Sequence, residues 1–338
     1  MDQKTHAWIA VRAIKLLENE GKVPGLVELL KPHTQKAAIG AWIPDKTDAK
    51  PGGAQTQNHV FKIGTYNGAL TSRFITKKAD LSGSLGADRL MAGFLDKYSN
   101  ILDANWWGTP FKADPPPGKH LANRTMALTI NNIDMLILGE QKIQDALPGD
   151  IQFISNIPDS YRCTSEQISI FFFMLSHFIA DSLMPCHCDL RDLSDYDKGL
   201  HKELEKAWSK SIDDLFTESK LINTPLDCDQ IFEKAVSSDI KFAISFKDQI
   251  PAFKGGESWD IWQEIVLLCR ASFALASVIA PPDKYPYKPA EQIMAPFSTL
   301  FESDNYGKEL LKEITQVIMH DAVLNVAMVW KNIWSRFK

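Results

Sequence analysis

The run "ISIFFFMLSHFIADSLMPCHCD", residues 168 to 189, constrains the fold more than any other part of the chain. Most of it is apolar on every face, so a helix built from it belongs inside a core rather than along a surface. Yet it carries His177 and Asp181, and residues four apart share one helix face about one turn apart. A carboxylate amid Phe178, Ile179 and Leu183 is costly to bury without a partner. The helix is expected to end before Pro185, and His187 falls just past that break, where a turn brings its ring back toward the same centre. Either these are scattered polar residues that find hydrogen bonds, or they hold a metal ion.

Elsewhere the periodicity is that of helices. Residues 6–18 put apolar side chains on most positions of a helix expected to begin near Thr5 and stop by Gly21. Thr164 followed by Gln167 is a capping box opening the helix that carries His177. Leu200, Leu204 and Trp208, at four-residue steps, predict an amphipathic helix, and the residues from Gly307 onward read as one long helix. No sustained alternation is present, so the expected fold is all-α. Three segments rich in proline, glycine or aromatics are expected to be loops: 42–59, 104–120 with Trp106 and Trp107, and 280–292. Nothing repeats, and 1–338 reads as a single domain with an insertion around 70–160 and a helical C-terminal extension around 215–338.

The 338 residues are 45% hydrophobic and 23% charged, an ordinary globular composition. A net charge of -5 gives no basic surface for non-specific nucleic-acid binding. No stretch reaches the apolar length of a membrane span, and the start lacks the n-region and h-region of a secretory leader. That reads as a cytoplasmic chain, although a mature exported chain behind a replaced leader reads the same. The five cysteines, an odd and sparse set, read as reduced thiols. Cys186 and Cys188 flank His187; a strand-like alternation there points the thiols away from the imidazole and makes them bystanders.

His201 and Glu205 repeat the four-residue spacing of His177 and Asp181. A single histidine on an apolar face is more often a hydrogen-bonded core residue than a ligand, and a His–Glu pair at this spacing is usually a surface pairing. Together the three segments supply nitrogen and oxygen ligands to one pocket, a mixture that suits zinc better than calcium or magnesium.

These residues carry a resemblance. "THAWIAVRAI", Asp45, His59, the His177-x3-Asp181-x5-His187 run and His201-x3-Glu205 are similar to the ligand pattern of zinc-dependent phospholipases C, a superfamily shared with single-strand-specific zinc nucleases. The likeness covers residues 1–62 and 165–210. It implies an all-α, multi-helix domain with its metal cluster in a cleft between helices, holding two to three zinc ions. Asp45, His59, His177 and Asp181 would hold one, and His187, His201 and Glu205 a second. A third would take His6, Asp181 as a bridge, and the α-amine of Met1, which stands where the family has a tryptophan. Asp45 is either a ligand only or also the catalytic residue that orients and deprotonates water. The activity implied is phosphoric ester hydrolysis, on a phospholipid or other small phosphodiester, with transient membrane-surface contact.

The chain departs from that pattern at the substrate pocket. Lys46 and Thr56 stand where the phospholipases carry aromatic residues for choline, so choline specificity does not carry over; Lys46 is expected to favour an anionic group. The extra segments are a second departure. The Trp106–Trp107 loop reads as an aromatic-stapled surface loop or a cap on the pocket. The C-terminal helix with Trp330 and Trp334 reads as packed rather than membrane-anchoring. His33, His120 and His320 lie outside the pattern and read as ordinary histidines. Two alternatives stand beside the hydrolase: a zinc nuclease acting on nucleic acid, and a non-catalytic member that binds lipid or protein through a retained metal core.

Overall fold

The computed structural model describes residues 1–48, 59–61, 65–66, 69–70, 121–149, 158–189, 258–279 and 305–337, together with six helical residues between 201 and 209. Among them the protein is helical, and its one sheet is a two-residue antiparallel pair, β1 (Thr65–Tyr66) with β2 (Ala69–Leu70). The expectation of an all-α protein holds.

The first helix, α1, runs Gln3–Glu20. It begins two residues earlier than the periodicity suggests, because Asp2 rather than Thr5 is its cap: Asp2 Oδ1 accepts from the Thr5 backbone N–H at 2.9 Å and from the Thr5 hydroxyl at 2.6 Å. The helix ends at Gly21, whose φ of 68° lets its N–H turn back to the Leu17 carbonyl. Along its first four turns α1 is buried on nearly every side, with Ala7, Ala10 and Ala13 allowing neighbours close.

α2 (Pro24–Leu30) leads through a 3₁₀ segment, Lys31–Lys36, into the one-turn α3 (Ala37–Gly40). Next comes α4 (Ile43–Asp48), which corrects the expectation that 42–59 is irregular. Pro44 falls in its first turn, where proline's missing N–H is no loss, so this proline opens a helix rather than breaking one. Residues 49–58 lie outside the described set.

α5 (Leu121–Ile137) and α6 (Gln141–Ala146) follow, then α7 (Ser165–Asp181). α7 opens with the expected capping box: Gln167 N donates to Thr164 Oγ1 at 3.2 Å, and Thr164 N donates to Gln167 Oε1 at 2.9 Å. From Leu175 to Asp181 every residue of it is buried. Helix α8 (Pro185–Cys188) is a single turn with proline at its start. This corrects the strand-like reading around His187. Cys186 and Cys188 are buried, and the Cys188 thiol donates to the Ser182 carbonyl at 3.4 Å.

Two long helices complete the core, α9 (Ser258–Ile279) and α10 (Asn305–Ser335). α9 packs on α5 and α8, while α10 lies along α1 and touches α7. Trp330 is fully buried, its ring 5.9 Å from Phe172 and 6.0 Å from Phe173, and Trp334 is nearly so. The C-terminal helix is packed, as expected. Its residues and those of α5 belong to the same continuous apolar core as α1 and α7. No helix among the described residues is long and apolar enough to cross a membrane. The loops 104–120 and 280–292, and with them Trp106, Trp107 and His120, fall outside the described residues.

Candidate metal centre

Asp181, the last residue of α7, is where the polar side chains converge. Its Oδ2 lies 2.9 Å from His59 Nδ1 and 3.0 Å from His177 Nε2. Its Oδ1 faces three more nitrogens: His187 Nδ1 at 3.4 Å, His6 Nε2 at 3.5 Å and the Met1 α-amine at 3.6 Å. Asp45 Oδ1 stands 3.6 Å from His177 Nε2 and 3.9 Å from His59 Nδ1. On the other flank His187 Nε2 lies 3.2 Å from His201 Nε2, and Glu205 Oε1 lies 3.1 Å from that nitrogen and 3.2 Å from the Met1 amine. All nine residues expected at the centre from sequence therefore meet in one place.

Each arrives by a local rule. The Asp2 cap starts α1 just after Met1 and turns His6 inward in the first turn, while Gln3 Nε2 ties that turn to the Ala38 carbonyl at 3.3 Å. Asp45 sits in the first turn of α4, where a carboxylate suits the helix dipole. His59 precedes an extended pair that is clamped on both sides: Phe61 N donates to the His187 carbonyl at 2.9 Å, and Leu121 N donates to the Val60 carbonyl at 3.2 Å. His187 is carried by the turn that Pro185 opens. His201 and Glu205 share a helical stretch whose Leu204 and Trp208 are fully buried, and its polar face meets His187 and the Met1 amine.

Sequence gave no sign of one participant, the Ala41 carbonyl. It accepts the His177 Nδ1 proton at 2.7 Å. A carbonyl can only accept, so His177 donates from Nδ1, and its Nε2 is left facing Asp181, Asp45 and His59. Gly40 makes this possible. A Cβ on it would lie 2.7 Å from Phe173 Cβ, so glycine allows α3 to approach α7 closely enough for Ala41 to reach the imidazole.

Burial and charge act together here. Burial opposes charging the Met1 amine, but the carboxylates of Asp181, Glu205 and Asp45 outweigh it and hold the amine up at about 10. Burial would raise Glu205, but His201 and the Met1 amine bring it down to about 2. Asp181 is likewise held well below the usual carboxylate range, against its own burial, by His177, His187 and the amine. Burial drives the His6 imidazole well below its ordinary value, reinforced by His177 beside it, so His6 is neutral. Asp45, only partly exposed, is pushed upward by burial.

The donor set fits a metal ion. Neither ring nitrogen of the fully buried His6 has a hydrogen-bond partner among the described residues, nor does Asp181 Oδ1. Such groups are costly in a protein interior. The His6 ring stacks on His177 at 3.9 Å, and His177 Nε2 lies 3.0 Å from Asp181 Oδ2. A cation shared by His6 Nε2 and Asp181 Oδ1, 3.5 Å apart, would satisfy both of those atoms. The tightest sets are His59, His177 and Asp181, and His6, Asp45 and His177, each able to hold an ion. His6 thus belongs with Asp45 and His177 as well as with Asp181 Oδ1. His33, by contrast, is an ordinary hydrogen-bonded histidine, 3.0 Å from the Ser165 hydroxyl. The side chains of Lys46, Thr56 and His320 lie outside the described set. No protein-family model, curated protein or solved structure matches the chain.

Proposed function

We propose that the protein is a zinc-dependent phosphoric ester hydrolase of the phospholipase C-like kind, acting on a phospholipid or another small phosphodiester. The observation that carries this reading is the division of the cluster by Asp181, one oxygen toward His59 and His177 and the other toward Met1, His6 and His187. A carboxylate so placed can bridge two ions. The mixed nitrogen and oxygen set favours zinc over calcium or magnesium. Spacing agrees: ligand atoms held tetrahedrally at roughly 2.0–2.1 Å stand about 3.3 Å apart, and His59 Nδ1, His177 Nε2 and Asp181 Oδ2 are mutually 2.9–3.0 Å apart.

Bound zinc supplies a water acidic enough to react at neutral pH and positive charge to meet the phosphoryl oxygens. The chain's own residues hold that arrangement in place. The Ala41 carbonyl orients His177, and the turn at Pro185 orients His187. Asp45 is the one carboxylate here that is both raised by burial and partly open, which suits it to orient a water and take its proton.

The test is elemental analysis of untagged protein never exposed to chelator, followed by assays on phospholipids, small phosphodiesters and single-stranded DNA. Two to three zinc ions per chain with phosphodiester turnover is the expected result. A folded, zinc-free protein would overturn the reading. Full zinc without turnover would point to the binding member, and preference for single-stranded DNA to the nuclease.

A further inference from the structure

Arg124 lies in the first turn of α5, which the Leu121-to-Val60 hydrogen bond fastens to the residue after His59. Its guanidinium carbon stands 5.7 Å from the centre of the Phe178 ring. That same ring lies 5.0 Å from the His59 ring and 5.2 Å from the His177 ring. The guanidinium and the two imidazoles thus share one aromatic neighbour. Arg124 Nε is buried and makes no hydrogen bond, and no carboxylate among the described residues pairs with the group. The residue as a whole is only partly buried, so its outer end is open to a ligand.

Two other described arginines are differently served: Arg162 lies 3.7 Å from Asp159, and Arg12, stacked on Trp8, has further partners. A guanidinium carries five N–H donors and no acceptor, and is charged at every ordinary pH. An aromatic face orients such a cation without using those donors. What remains is a rigid fork beside the cluster, with the geometry to hold two oxygens of one anion.

We infer that Arg124 is an anion-binding residue of this centre, donating to an anionic oxygen of a phosphoester held at the His59–His177 end of the cluster. The inference rests on the hydrolase reading for its substrate but not for its test. It deepens that reading by naming the substrate class. The preferred ligand is an anionic phosphoester, and a site with a fixed cation here is a poor host for a quaternary ammonium group.

The experiment compares zinc-loaded wild type with Arg124→Met and Arg124→Lys. Arg124→Met keeps the apolar stem over Phe178, and Arg124→Lys keeps the charge but loses the fork. Titration calorimetry with inorganic phosphate is expected to show affinity at least about tenfold weaker in Arg124→Met and an intermediate value in Arg124→Lys. Acetohydroxamic acid, a ligand that enters neutral, should bind all three alike, with unchanged zinc content. Guanidinium ion at low millimolar concentration should partly restore phosphate binding to Arg124→Met. Phosphate affinity equal in all three proteins would overturn the inference, as would parallel loss of phosphate and hydroxamate binding, which would mark Arg124 as merely structural. If wild type hydrolyses no phosphodiester yet loses phosphate affinity in Arg124→Met, the hydrolase reading falls and the anion site stands. If hydrolysis is seen and Arg124→Met matches wild type in KM and phosphate affinity, the reverse holds.

Discussion

The two ends of α7 are built from similar residues and behave in opposite ways. At the start, Thr164 and Gln167 satisfy each other, His33 meets the Ser165 hydroxyl, and Lys36 pairs with Glu166 at 3.0 Å, all close to solvent. At the finish, His177 and Asp181 are wholly buried, and nitrogen lone pairs and carboxylate oxygens crowd together. At the first end every side chain named has a partner. The second leaves Asp181 Oδ1 and both ring nitrogens of His6 without a hydrogen-bond partner among the described residues. Polar residues that balance locally are structural, and polar residues buried out of balance mark the place where something from outside completes them.

The contrast can be tested at its stronger pole first. Asp181→Asn removes the shared charge while keeping the shape, so metal should be lost from the cluster and any phosphodiester turnover should fall by about 10³-fold. Elemental analysis and kinetics read both, and retained zinc would sink the bridging role.

pH gives the next largest effect, in metal-free protein. The Met1 amine has its value raised from 8.0 to about 10. Its stabilising charge is therefore fully present below pH 8 and disappears as pH rises through 10, a loss of about 2–3 kcal/mol. Denaturant titrations at pH 7.5 and 10.5 measure it, with α-amino acetylation as the control that should abolish the difference.

Gly40→Ala puts a methyl 2.7 Å from Phe173 Cβ and 3.1 Å from the Ile170 carbonyl. The shift this forces should carry the Ala41 carbonyl away from His177 and weaken zinc binding by about 10–100-fold. Competition against a chelator would show it. Thr164→Ala, at the balanced end, should cost only about 1 kcal/mol and leave zinc affinity untouched. A change in metal content there would dissolve the distinction between the two ends.

Sequence made the candidate ligands legible because a metal site calls for particular side chains at helical spacing, and His177, Asp181, His201 and Glu205 stand at that spacing. It made α7 and α10 legible through a capping box and an apolar periodicity. The contribution of Ala41 was hidden, since a backbone carbonyl has no residue type to announce it; only the glycine before it leaves a trace. Arg124 was hidden for another reason. It lies 65 residues beyond His59 in the chain, and its place beside Phe178 depends on a long-range hydrogen bond that no local pattern encodes. The α4 helix was missed because Pro44 is a breaker in a helix interior and an opener in the first turn, and the residues alone do not say which.

Trp330 closes over Phe172 and Phe173 on the helix that presents His177 and Asp181, while α10 lies along the helix that presents His6. This has a consequence in time. During synthesis His6 leaves the ribosome more than three hundred residues ahead of Trp330. At the roughly 5–20 residues per second at which chains are made, the first ligand waits some tens of seconds for the tryptophan that packs its neighbours into place. Until then Phe172 and Phe173 face water. Assembly of the cluster is thus one of the last events in the life of the nascent chain, and a chain cut short before α10 leaves these residues without the wall that brings them together.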